Sequence, residues 1–116
     1  MRDLSLYLND VFNAIESINS FIHGMDFEDF EKDDKTVSAV VRKLEIIGEA
    51  VKKIPESIRE KYNALSWKKI AGMRDRLIHF YFGVDTKLVW TTIHESLPEL
   101  KNTVLQMLKD LNKEKE

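Results

Sequence analysis

"DKTVSAVVRKLEIIGEAVKKI", residues 34 to 54, places apolar side chains at Val37, Val40, Val41, Leu44, Ile47, Val51 and Ile54. Spacings dominated by three and four follow the period of an α-helix, not the alternation of a strand. Ala39, Ile46 and Ala50 widen the face and leave Arg42, Glu45, Glu49 and Lys52 as a narrow polar strip. Three of these four are spaced for ion pairs along one helix, so the strip reads as solvated surface. Pro55 ends the segment, because its ring removes a backbone donor and crowds the preceding turn.

The same period extends to both sides. Leu4, Leu8, Val11, Ile15, Ile18 and Ile22 make a helical stripe that Gly24 can stop. Residues 25–34 read as a loop or a short helical turn, with Phe27 and Phe30 folding back onto the core. After Pro55, PESIREKY reads as a short helix. Ser66 is the natural N-cap of a third long helix running through Phe82 and closed by Gly83. Asp85 or Thr86 caps a fourth, whose apolar positions run from Leu88 to Leu111 and which Pro98 should kink or split. No stretch alternates like a strand and there are no internal repeats. The expected architecture is all-α: a four- to five-helix bundle in a single domain over residues 1–112, with a frayed charged tail at 113–116.

Composition agrees with one globular domain: 116 residues, 43% hydrophobic and 33% charged. The absence of cysteine excludes disulfide scaffolds, thiolate catalysis and zinc-finger chemistry, and fits a reducing, cytoplasmic setting. The opening MRDLSLYLND lacks the apolar core expected of a signal peptide, and no apolar run approaches the roughly 18 residues of a membrane span. The net charge of −2 argues against a broadly basic nucleic-acid binder. Charge is nevertheless uneven. Acidic residues crowd between Asp26 and Asp34, while Arg59, Lys61, Lys68, Lys69, Arg74 and Arg76 face only Glu60 and Asp75 in their stretch.

That basic stretch leads into "GMRDRLIHFYF", residues 72 to 82, where Arg74, Asp75, His79 and Tyr81 interrupt an apolar pattern. Known chemical signatures are missing elsewhere: no Walker loop, no GxGxxG, no HExxH and no Glu-x-x-His pair. Neither a metal nor an organic cofactor is expected. His23 and His94 read as surface residues, and Trp67 and Trp90 as core or interface anchors. On a continuous helix Arg74 and His79 would stand about 140° apart around the axis and roughly 7.5 Å along it. Asp75 and His79 would share a face, as would Arg74 and Tyr81. A site using both Arg74 and His79 then requires either a loosened helix end near Gly83 or a second subunit across a two-fold axis.

An imidazole titrating near neutrality and an always-charged guanidinium suit metal-free RNA cleavage. The first moves protons on the 2′-hydroxyl and the leaving oxygen, and the second stabilises charge on phosphorus. From spacing alone a second reading stands beside this one: Arg74 and His79 as surface residues of an ordinary helix, with Tyr81 half-buried in packing.

Arg74-x-x-x-x-His79-x-Tyr81 resembles the motif of HepT-like toxins of the HEPN (higher eukaryotes and prokaryotes nucleotide-binding) superfamily. The resemblance covers about residues 4 to 111 and includes RKLEIIGEA at 42–50, WKKIAGMR at 67–74, FGVD at 82–85 and the segment from Trp90 to Leu100. It implies an all-helical domain that dimerises around a shared cleft, acting as a metal-independent ribonuclease toxin with Arg74 and His79 catalytic. It also implies a partner, an MntA-like minimal nucleotidyltransferase antitoxin that transfers AMP to Tyr81. The position after the arginine, often asparagine in the family, is Asp75, given an orienting role. The alternative is a non-catalytic helical partner that keeps the motif for docking a nucleotidyltransferase or for nucleotide binding.

Overall fold

The computed structural model describes residues 3–79 and 83–115, with the side chains of His79 and Lys115 outside that description. Helix α1 (Leu4–Phe21) begins at Asp3, whose carboxylate accepts from the Ser5 amide at 3.0 Å. Helix α2 (Phe27–Lys32) opens with a reciprocal capping box between Asp26 and Asp29, and Asp33 caps α3 (Asp34–Lys52). Asp33 accepts from both the amide and the hydroxyl of Thr36, at 3.1 and 2.9 Å. Those bonds, the amide foremost, hold its carboxyl below the usual carboxylate range. Several residues of the acidic stretch therefore serve as helix starts, where carboxylates satisfy free amides and the helix dipole.

The hydrophobic stripes find one another as their period requires. Helix α3 packs along α1 and also meets α2, and α8 (Leu97–Lys115) lies against α1 and against α7 (Thr86–Glu95). Leu8, Val11 and Ile18 of α1, Val40, Ile47 and Val51 of α3, and Leu100 and Val104 of α8 are fully buried in one core. Each such side chain stabilises the fold by about 1.5–3 kcal/mol relative to exposure. Phe30 is buried and Phe27 half-buried, as the sequence predicts, and both rings rest against Trp90 at centroid distances of 5.2 and 6.2 Å. Trp67 is buried with its indole donating to the Tyr62 carbonyl at 3.1 Å. His94 bonds through Nδ1 to the Trp90 carbonyl at 2.8 Å and lies beside that indole, a structural placement.

Pro98 splits the last helical run as expected. The break falls at Ser96, between α7 and α8, and leaves Pro98 in the first turn of α8, where its missing donor has no intrahelical partner to lose. Asp85 caps α7 by accepting from the Leu88 amide at 3.0 Å. Helix α8 continues to Lys115.

The expected third long helix is the main departure. Residues 66–79 do not form one rod. Helix α4 (Glu56–Glu60) is followed by α5 (Trp67–Ala71), a break at Gly72, and α6 (Met73–Leu77). The chain then turns extended: β1 (Ile78–His79) pairs antiparallel with β2 (Gly83–Val84), Ile78 opposite Val84 and His79 opposite Gly83. Two causes converge on Leu77 as the end. Ile78 opens a run of β-branched and aromatic residues that favours extended backbone. The Leu77 carbonyl, which a longer helix would use internally, accepts instead from the Asp85 amide at 2.9 Å. Gly83, at φ +82°, supplies the left-handed conformation at the start of β2. The described residues thus hold eight helices, four of them only five or six residues long, in an all-α bundle with one two-residue ladder. No helix among them is long and apolar enough to cross a membrane.

Candidate active site

The α5–α6 turn sits on α3 at Gly48. A Cβ there would stand 3.5 Å from the Ala71 carbonyl oxygen and 3.9 Å from that of Ile70, both ordinary van der Waals contacts, so the end of α5 lies against α3 at this point. One turn back along α3 is Glu45. On the facing helix Met73 and Leu77 point into the core, and Arg74, between them in sequence, points outward. Its Nε donates to Glu45 Oε2 at 3.2 Å. Val41, Leu44, Leu77 and Ile78 line a narrow apolar recess beneath this pair.

The two arginines of the motif have different partners. Arg76 donates from Nη2 to the Lys69 carbonyl at 2.6 Å, satisfying an oxygen in the last turn of α5. The Arg74 side chain is 52% exposed, with its Nη1 3.8 Å from Asp75 Oδ1. Asp75 is itself 87% exposed, so this second contact is loose and contributes little. Arg74 thus engages Glu45 through Nε and meets Asp75 only loosely at Nη1.

On a continuous helix Asp75 and His79 would lie one turn apart on the same face. That relation does not exist, because the helix stops at Leu77 and His79 lies in β1. The change also removes the helical argument that one chain cannot present Arg74 and His79 together: the backbone leaves the helix between them. Tyr81 lies outside the described residues, as do Phe80 and Phe82. Helical spacing puts Glu45 in a solvated strip that pairs along α3. Within that strip Glu49 takes Lys52 at 3.4 Å, while Glu45 reaches across to α6. No local signal could have separated the two glutamates, since both sit at ion-pair spacing on their own helix.

An all-helical bundle displaying an arginine on a short helix, with a histidine in the strand leaving it, defines a class that family comparison makes specific. The model of the family described as HepT-like, "Ribonuclease HepT-like", matches residues 11–107. The chain belongs to the HepT-like ribonuclease family, and its activity is that of a ribonuclease. It is 47% identical to "Putative RNase MJ0125" of Methanocaldococcus jannaschii over 95% of both chains. It is 48% identical to "Putative RNase TTE0752" of Caldanaerobacter subterraneus subsp. tengcongensis, over 88% of this chain and 91% of that one. It is also 50% identical to "Probable ribonuclease HepT" of Thermococcus cleftensis, over 82% of this chain and 86% of the relative. No solved structure gives a significant match.

Proposed function

We propose that this chain is a metal-independent endoribonuclease toxin whose catalytic groups are Arg74 and His79. The observation that carries the reading is the exposed Arg74 side chain, anchored at Nε and followed by His79 in the strand that leaves α6. In the reaction the ribose 2′-oxygen attacks the adjacent phosphorus and gives its proton to a base. The bond from phosphorus to the 5′-oxygen breaks, and that oxygen takes a proton from an acid. The products are a 2′,3′-cyclic phosphate and a 5′-hydroxyl. An imidazole serves as acid or base near neutrality, and two copies of His79 in a homodimer would supply both. The Arg74 fork stabilises the charge that grows on the phosphoryl oxygens. Asp75 flanks the guanidinium as a supporting carboxylate.

In this proposal a minimal nucleotidyltransferase acts as antitoxin. The Tyr81 hydroxyl attacks the α-phosphorus of ATP, pyrophosphate leaves, and the attached AMP brings a negative charge that repels RNA and competes for Arg74.

The test is cleavage of end-labelled RNA by the purified chain in EDTA, with the new ends analysed chemically. Cyclic phosphate ends are expected, and Arg74→Ala and His79→Ala should each lower the rate about 10²–10⁴-fold while the helical circular dichroism is retained. Wild-type cleavage by His79→Ala would overturn the catalytic assignment.

A further inference from the structure

We infer that Glu45 is a positioning residue for Arg74: its carboxylate holds the Nε edge of the guanidinium so that the outer Nη edge is presented to the scissile phosphate. The inference rests on the reading of Arg74 as catalytic. Its basis is a contact between residues 29 apart in sequence, made at 3.2 Å from α3 to α6. The Glu45 side chain is 31% exposed and borders the recess lined by Val41, Leu44, Leu77 and Ile78. The carboxylate is therefore located by the packing of α6 against α3.

A guanidinium offers five N–H donors in a rigid planar fork. Holding Nε through a protein carboxylate fixes the plane and leaves donors on both terminal nitrogens for two phosphoryl oxygens. An unanchored arginine, half exposed, would sample many rotamers and lose that aim. The same carboxylate places a negative charge beside the phosphate site, so it weakens attraction for RNA in the ground state. Aim and attraction are thus opposed at Glu45, and removing the residue should lower turnover without weakening substrate binding. A carboxylate that merely stabilised the fold would not do this.

Steady-state kinetics on a short fluorogenic RNA separate the two effects. Glu45→Ala removes both acceptor and charge. We expect kcat to fall roughly 10–100-fold, the scale of a mispositioned catalytic group, with KM unchanged or lower. Glu45→Gln keeps an acceptor oxygen for Nε and removes only the charge. It should restore kcat to within about threefold of wild type while KM stays at or below the wild-type value, since a retained hydrogen bond preserves the aim. A kcat for Glu45→Ala within twofold of wild type would overturn the inference. So would a rise in KM in either variant, or a failure of Gln to restore what Ala loses. Arg74→Ala, measured alongside, distinguishes the layers. If it cleaves like wild type, the catalytic reading of Arg74 falls and this one with it. If it is inactive while Glu45→Ala matches wild type, only the role of Glu45 falls.

Discussion

The hydroxyl of Tyr62 donates to Oδ2 of Asp110 at 2.6 Å, joining the chain beyond α4 to α8 across 48 residues. Gln106 donates to the other carboxylate oxygen at 2.8 Å. The bond to Asp110, followed by burial, pushes the Tyr62 hydroxyl up to about 12. The bonds from Tyr62 and then Gln106 hold Asp110 below the usual carboxylate range. Both shifts become stability. The raised tyrosine contributes fully below its ordinary value of 10.0, and that contribution is lost as the pH climbs toward about 12. The depressed Asp110 contributes above its ordinary value of 3.8 and loses that contribution as acid protonates it. Tyr62→Phe should therefore lower Tm most across the neutral range, with the gap to wild type closing at both extremes. Thermal melts of the two proteins from pH 3 to about 12 check this, and a gap independent of pH would contradict it.

Phe30 is fully buried between α2 and the rest of the core, with its ring 5.2 Å from Trp90. Phe30→Ala should destabilise the chain by about 3–5 kcal/mol, through lost transfer energy and the cavity left behind. Phe27, only half-buried at 6.2 Å from the same indole, should lose less. Urea unfolding with an unchanged m-value measures both.

Gly83 and Gly24 hold nearly the same left-handed backbone, at φ +82° and +79°, and a Cβ at either would meet nothing within 4 Å. Alanine at each position should therefore cost a similar amount, about 1–2 kcal/mol, from backbone strain alone. Their effects on activity should differ. Gly83 faces His79 across the ladder, whereas Gly24 lies between α1 and α2. Gly83→Ala should lower ribonuclease turnover at a temperature where both variants are folded, and Gly24→Ala should not. Equal turnover would mean that the ladder does not control His79.

The proposed regulation predicts labelling at one residue. Incubation with a partner nucleotidyltransferase and ATP should add AMP to Tyr81, located by mass spectrometry, and Tyr81→Phe should abolish the labelling. AMP on another side chain would refute the assignment to Tyr81 and leave the ribonuclease chemistry untouched.

The proposed composite site predicts two copies in solution. Light scattering at micromolar concentration should give twice the 13.6 kDa mass of one chain. A monomer that cleaves RNA at full rate would show that one chain suffices.

The helices of this protein are legible in its sequence because their causes are local. An apolar stripe at helical period marks α1 and α3. A carboxylate before the first turn starts α3 and α7, and a proline ring divides α7 from α8. Each signal acts within a few residues of its effect. The motif from Arg74 to Tyr81, and the family it resembles, could be read in the same way.

The end of α6 could not, because its deciding cause lies beyond the helix itself. The lean of Ile78 and the residues after it toward extended backbone is local, but it does not fix where the helix stops. The choice was made by the pairing of Ile78 and His79 with Val84 and Gly83, and by the Asp85 amide that takes the Leu77 carbonyl. Likewise, the sequence does not say what either Arg74 or Arg76 will meet. Folding brought a backbone carbonyl of α5 to Arg76 and a carboxylate of α3 to Arg74. Periodicity reports which residues face the core, and it is silent on what the next helix places opposite those that do not. That opposition, of Glu45 to Arg74 across two packed helices, was decided only by the tertiary structure.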